Sequence, residues 1–356
     1  MRAAALQNVR RLVIKLGTGV LTDPHKRLDP LQVTQLVAQI AALRSAGRDV
    51  VLVTSGAVGA GMGALGFDRR PGTLHELQAC AAVGQSRLMA LYESLFRHYE
   101  LGIAQVLLTH DDLADHRRHL NARNTLLTLL DRGFVPIVNE NDAVSVTELK
   151  FGDNDKLSAL VASLLPADLL VILTTADGLI KNFGRPDAQV LPVVDGIDDS
   201  VAAMASGTMS ATAVGGMTTK IQAARIATRS GIPMVIASGR KFDVLNRILD
   251  GGTEGTLFLP HPNRLPARKR WIAFFDRPQG TLVVDDGARV ALTEGGRSLL
   301  GPGLVRVDGT FSSGDVVAVT GTDGREFARG LVRMGSNSLP AVGRKEIIHR
   351  NDLVIL

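Results

Sequence analysis

The sequence predicts an α/β fold, a mainly parallel sheet sandwiched by helices, followed by a small β-rich C-terminal domain. Three observations carry this. Through residue 260, short runs rich in Val, Ile and Leu alternate with longer amphipathic stretches, the pattern of strands buried on both faces between crossover helices. Hydrophobic residues make up 45% of the 356 residues but aromatics only 4%, so the cores are aliphatic, which suits layered packing. Beyond Pro260 the texture shifts to short apolar pairs broken by glycine, such as Leu282-Val283-Val284 and Val316-Val317-Ala318. A chain of this length also exceeds what one core organises, so two domains are expected. The predicted boundaries are 1–260, a Pro-rich linker over 261–267, and 268–356.

Arg11 to Leu16 reads as a buried strand that delivers Gly17-Thr18-Gly19. Asp29, Pro30 and Gln32 then form an N-cap, a first helical residue and a capping-box partner. Leu36, Val37, Ile40 and Leu43 give that helix an apolar face, and Gly47 stops it. A second strand, Asp49 to Val53, ends at Thr54-Ser55-Gly56. The alternation continues with a helix around Leu74 to Phe96, a strand near Ile103 to Leu108, a helix near Asn121 to Leu130 and a strand from Phe134 to Val138. Asn139-Glu140-Asn141-Asp142 follows. Further strands are expected at Leu169 to Leu173 and Pro233 to Ala237, with helices beginning near Asp155 and Thr218. Right-handed crossovers place the C-terminal ends of parallel strands on one edge, where functional loops gather.

Composition narrows the function. The single cysteine, Cys80, makes no intramolecular disulfide and no charged-then-apolar leader opens the chain, so a cytoplasmic protein is expected. No window has the roughly 18 apolar residues of a membrane helix, so no membrane partner is expected. The net charge of +5 is concentrated after residue 260, with 14 Lys+Arg against 10 Asp+Glu. Arg268-Lys269-Arg270 and the tail aromatics Trp271, Phe274, Phe275, Phe311 and Phe327 raise RNA as a partner. The plainer account is a solvated basic cluster beside the linker and aromatic core residues. His75, His98, His110, His116 and His119 lack metal-ligand spacing, and there is no GxSxG elbow.

The chemistry rests on lysines and glycine turns. Lys15 lies in an apolar strand, where an unpaired ammonium is costly. It either snorkels from the strand end or meets a phosphate held by Gly17-Thr18-Gly19. Neither GxxxxGK(S/T) nor GxGxxG is present. Gly215-Gly216-Met217-Thr218-Thr219-Lys220 is a second glycine turn opening a helix, either an ordinary loop or a phosphate site. Two lysines, each beside such a turn, suit a phosphoryl group whose charge spreads in the transition state. In Gly152-Asp153-Asn154-Asp155-Lys156, Asp155 suits orienting both lysines. Asn154 and Asp142 suit a substrate ammonium, and Ser55 with the Gly56 amide suits a carboxylate. Turn formation and helix capping account for part of the same composition.

These segments, with Ala82-Val83-Gly84-Gln85 and Asn121-Ala122-Arg123, resemble the glutamate 5-kinases of the amino acid kinase superfamily. The resemblance covers essentially the whole chain, and the tail from Arg268 is similar to the PUA domain of many bacterial members. It implies an amino acid kinase-like fold with a PUA-like C-terminal domain. The implied reaction is ATP-dependent phosphorylation of the L-glutamate γ-carboxylate, the first step of proline biosynthesis, with Mg²⁺ accompanying ATP. Proline as feedback inhibitor and a homodimer or homotetramer are implied with it. Carried over by motif, Lys15, Lys220 and Asp155 are catalytic, and Ser55, Gly56, Asp142 and Asn154 bind substrate. Lys15, Gly17, Thr174, Thr175, Gly215, Gly216, Met217 and Lys220 bind nucleotide, and no side chain is assigned to a metal. The sequence departs from the family over Thr174 to Lys181, in Gly184-Arg185-Pro186 and at Val214, all on the nucleotide side. Aspartate, acetylglutamate, carbamate or a nucleoside monophosphate are the acceptors of the alternative superfamily readings.

Overall fold

The computed structural model describes residues 2–23, 27–144, 154–206, 216–275, 278–341 and 343–356. The chain divides into two units, Met1–Asp112 with His119–Arg264, and Leu113–Arg118 with Leu265–Leu356. The break at Arg264 falls inside the segment read as a linker, and the second unit also takes in Leu113–Arg118.

In the first unit the strands are β1 (Arg11–Leu16), β2 (Asp49–Val53), β3 (Ile103–Leu108), β4 (Val135–Glu140), β5 (Leu169–Thr174), β6 (Val193–Val194), β7 (Met234–Ser238) and β8 (Thr256–Phe258). They form one sheet in the order β3-β4-β2-β1-β5-β7-β8-β6. Each neighbouring pair is parallel except β7 with β8. β1 lies centrally, and Leu12 to Leu16 are all buried, as an apolar run covered by helices on both faces must be. Leu12, Ile14 and Leu16 join Leu36, Ile40, Leu52, Tyr92 and Phe96 in its main core.

Helix α1 (Pro30–Ser45) begins as expected, with the Asp29 carboxylate accepting from the Gln32 amide at 3.2 Å. The reciprocal half of the capping box does not form. The Asp29 N–H donates to the Leu21 carbonyl, and the Gln32 side chain donates instead to the Gly239 carbonyl at 2.8 Å. A tertiary acceptor has outcompeted the local one. β4 runs two residues past its expected end, because β3 stays paired with it as far as Leu108 opposite Glu140. Asn139 is thereby a strand residue with a fixed backbone.

Helices α2 (Ala57–Met62) and α3 (Leu74–Arg97) cross at backbone contact. A Cβ at Gly84 would overlap the Ala57 carbonyl oxygen, and one at Gly61 would overlap that of Cys80. The crossing seats α2, and with it the Ser55-Gly56 turn at its N-terminus, on a long helix anchored by the buried Tyr92 and Phe96. α4 (His116–Asp131), α5 (Asn154–Leu164) and α6 (Met217–Arg229) follow. Among the described residues no helix is long and apolar enough to cross a membrane.

In the second unit β9 (Gly280–Val284), β10 (Leu304–Gly309), β11 (Val316–Thr320), β12 (Glu326–Leu331) and β13 (Leu353–Ile355) form a sheet in the order β10-β9-β11-β12-β13. Its core holds Leu282, Val284, Phe311, Val317, Val319 and Phe327. The segment Ala267 to Phe275 is helical, and the His116 ring meets Trp271 edge-on at 5.9 Å. The expectation of a solvated Arg268-Lys269-Arg270 cluster holds for Arg268, whose side chain is 66% exposed, and is corrected at Arg270, which is buried. Arg268 pairs with Asp352 at 2.7 Å, Lys269 donates to the Arg350 carbonyl, and Arg270 is buried with a bond to the Leu265 carbonyl. Phe275, Phe311 and Phe327 are buried, as the plainer account of the aromatics expected.

Gly84→Ala is expected to destabilise the chain by about 1–3 kcal/mol through overpacking. Gly63→Ala, whose Cβ meets open space, should be nearly neutral. Urea midpoints of the two variants against the parent check this.

Candidate active site

The C-terminal ends of β1, β2 and β4 meet the N-terminal turns of α5 and α6 on one edge of the sheet. Lys15 is the penultimate residue of β1, Asp155 lies in the first turn of α5, and Lys220 is the fourth residue of α6. One oxygen of Asp155 stands 2.7 Å from the Lys15 ammonium and the other 3.0 Å from that of Lys220. The Thr219 hydroxyl also lies 2.8 Å from the second oxygen. All three charged groups are buried: Asp155 is 1% exposed and each lysine 5%. Burial alone would push the Asp155 pKa up, but the charges of Lys15 and Lys220, with hydrogen bonds from Lys15 and Thr219, bring it down to about 2. Among the described residues these two cations share this one carboxylate.

Both glycine turns leave this charge accessible. A side chain at Gly17 would stand 3.6 Å from the Lys15 ammonium and 3.2 Å from the Leu173 carbonyl, to which the Gly17 N–H donates. Gly216 caps α6 in an extended conformation, and among the described residues a Cβ there would meet nothing closer than 4.0 Å.

Beside the cluster lies a cleft lined by Thr18, Ser55, Gly56, Ala57, Val58, Gly59, Arg70, Asn139, Glu140, Asp142 and Asn154. Gly56 adopts φ +98°, which lets β2 turn directly into α2 and presents backbone N–H groups to the cleft. The Asn154 amide nitrogen reaches the Thr54 carbonyl at 2.7 Å, the Ser55 hydroxyl at 3.0 Å and Asn139 Oδ1 at 2.9 Å. Asn154 and Asp155 are neighbours, so the same helix start forms the cleft wall and binds the lysines.

A family model for the amino acid kinases matches residues 10–238. The chain belongs to the amino acid kinase family. A PUA domain model matches residues 280–350 of the second unit. The chain is 47% identical to the glutamate 5-kinase of Moorella thermoacetica, covering 99% of this chain and 98% of that one. It is also 47% identical to that of Geobacter sulfurreducens over the full length of both. Among solved structures, a carbamate kinase from Giardia lamblia bound to AMP-PNP has a TM-score of 0.51 at 21% identity, covering 71% of this chain and 99% of that one. That likeness is one of fold.

In this amino acid kinase Ser55, Gly56, Asp142 and Asn154 share the cleft, and Lys15, Asp155 and Lys220 form the ion cluster. Gly17 and Gly216 lie beside the lysines, and Met217 is buried behind the second turn. Thr174 ends β5 and Thr175 is exposed beyond it. Gly215 lies outside the described residues. Sequence reasoning gave no individual role to Thr219, Asn139, Gln85 or Arg70. The first three stand inside quoted motifs, whereas nothing in the polar loop around Arg70 marks it.

Asp155→Asn would leave two buried ammonium groups without their anion and is expected to cost about 3–5 kcal/mol at neutral pH. The folded pKa of about 2 lies below the ordinary value of about 3.9. The contribution of Asp155 is therefore complete above the ordinary value and lost as pH falls towards the folded one. Urea unfolding of parent and variant between neutral pH and about pH 3 should show the gap narrowing only at the acid end.

Proposed function

We propose that this chain transfers the terminal phosphoryl group of ATP to the γ-carboxylate of L-glutamate, giving L-glutamyl 5-phosphate, the first step of proline biosynthesis. The observation that carries the reading is a cleft for a small polar acid set directly beside two buried ammonium groups tied to one carboxylate. Full-length relatives named glutamate 5-kinase support the choice of acid.

In this reading the Ser55 hydroxyl and Gly56 amide hold the glutamate α-carboxylate, Asp142 and Asn154 hold its amino group, and the γ-carboxylate points at the lysines. The ATP phosphates lie along Gly17 and the Gly215-Gly216-Met217 turn, with Thr174 and Thr175 towards the nucleoside. A γ-carboxylate oxygen attacks the terminal phosphorus as the bond to the bridging oxygen breaks, and ADP leaves with that electron pair. Lys15 and Lys220 neutralise charge on the transferring oxygens. Asp155 holds both ammonium groups in place, and no covalent enzyme intermediate is needed.

Both Asp155 oxygens are taken by ammonium groups, and the described residues hold no cluster of three metal-ligating side chains. In this reading Mg²⁺ would enter with the nucleotide and would screen its phosphate charge. Proline feedback, assembly into dimers or tetramers and a cytoplasmic location belong to the same proposal, as do domains over 1–260 and 268–356.

Purified protein with ATP, Mg²⁺, glutamate and hydroxylamine should give glutamate hydroxamate. Hydroxamate from aspartate or N-acetylglutamate, but none from glutamate, would overturn the assignment. Lys220→Ala should lower kcat at least about tenfold, or roughly 1.4 kcal/mol of barrier. Unchanged turnover would remove Lys220 from the mechanism.

A further inference from the structure

Helix α3 stands behind the acceptor cleft, and two of its residues reach opposite walls. Tyr92 is fully buried, with its hydroxyl 2.8 Å from that of Thr54 at the end of β2. Gln85, two turns earlier and so on the same side of the helix, accepts through Oε1 from Asn139 Nδ2 at the end of β4, at 2.8 Å.

The orientation of the amides follows from one backbone group. The Thr54 carbonyl can only accept, so the Asn154 atom 2.7 Å from it is the amide NH₂. With Asn154 so turned, Asn139 meets it with Oδ1 and directs its own NH₂ at Gln85 Oε1. Gln85 Nε2 is left buried with no partner among the described residues. Gln85 thus serves this chain as an acceptor alone. The consequence appears at Ser55, whose hydroxyl lies 3.0 Å from the Asn154 amide nitrogen. The two hydrogens of that nitrogen serve three oxygens, so Ser55 shares one. An amide nitrogen cannot accept, so the Ser55 hydrogen must be donated elsewhere. Ser55 lines the cleft, and a substrate carboxylate can only accept.

We propose that Gln85 is a positioning residue for the acid substrate: by accepting from the Asn139 NH₂ it keeps Asn139 Oδ1 on Asn154, whose NH₂, held also by the Thr54 carbonyl, faces Ser55 and leaves that hydroxyl a donor into the cleft. This rests on the reading that Ser55 binds a carboxylate of glutamate. Gln85 touches neither substrate nor nucleotide. Its effect falls on glutamate affinity, and phosphoryl transfer proceeds at its usual rate once the cleft is filled.

The test separates acceptor from donor at one position. Gln85→Met keeps the length but removes the strong acceptor, freeing Asn139 to turn over. Gln85→Glu keeps an acceptor and removes the donor. Gln85→Met should raise the KM for glutamate about tenfold, with kcat and the KM for ATP within about twofold. Gln85→Glu should stay within about threefold of the parent in all three constants. An unchanged glutamate KM in Gln85→Met, equal impairment of the two variants, or an ATP KM rising in step would each overturn the role. Should Gln85→Met fail to fold by urea titration, Gln85→Glu decides alone: parent-like KM supports the proposal and a tenfold rise overturns it. No glutamate turnover by the unmodified chain would overturn the underlying reading, whereas turnover with an unmoved Gln85→Met overturns only this inference.

Discussion

Lys15 arrives on the central strand, Lys220 on the first turn of α6 and Asp155 on the first turn of α5, and the three meet as one buried ion cluster. The rest of the active edge depends on that meeting. Two ammonium groups brought together without an anion would repel and lose hydration with nothing in return. Among the described residues a single carboxylate ties both groups, one oxygen to each. The location of Asp155 at a helix N-terminus adds to its stability as an anion. Tying both lysines to this carboxylate thus serves folding and chemistry alike.

The cleft beside the cluster combines charged lining residues, Arg70, Glu140 and Asp142, with a network of neutral groups. Amides of Asn154, Asn139 and Gln85 and the hydroxyl of Ser55 are oriented by bonds to one another and to the Thr54 carbonyl, while the Thr54 hydroxyl meets that of Tyr92. Neutral donors can recognise a carboxylate without competing with the lysines for the migrating phosphoryl group. They are orienting groups only if the backbone behind them does not shift. The glycine crossing of α2 and α3 provides that stiffness, since the two helices touch through backbone atoms with no side chain to rearrange.

Much of this could be read before any coordinates, for identifiable reasons. A lysine in an apolar strand requires an anion, so Lys15 marked itself. The glycine turn before Lys220 did the same. Asp155 could be picked out beside them as the carboxylate suited to orient both lysines; what sequence could not supply was the geometry, one oxygen on each ammonium, which the packing of α5 against β1 sets. Asn139 was hidden for a related reason. Its polarity suggested the end of β4, whereas pairing with β3 carries the strand through it. Gln32 was read as a local cap, yet its side chain bonds to Gly239, 207 positions away. Leu113–Arg118 joins the second unit through contacts such as His116 with Trp271, which no local pattern announces.

The segment from Thr174 to Lys181 is held largely through its own backbone. Thr174 is fixed by parallel pairing with Ser238, and its carbonyl accepts from the Gly239 N–H. Beyond it, the Leu179 N–H donates to the Thr256 hydroxyl, and Ile180–Lys181 pairs with Gln189–Val190 through backbone bonds. Lys241 reaches Asp177 at 3.0 Å on the surface. None of these contacts includes Lys15, Asp155 or Lys220. The two regions communicate through the Gly17 loop, where Gly17 donates to the Leu173 carbonyl and Arg240 donates to the carbonyls of Gly19 and Thr22. A second link is the sheet itself, where Lys15 and Leu16 of β1 pair with Ile172 and Leu173 of β5, so a change in this segment can reach the ion cluster either through the loop or through β5.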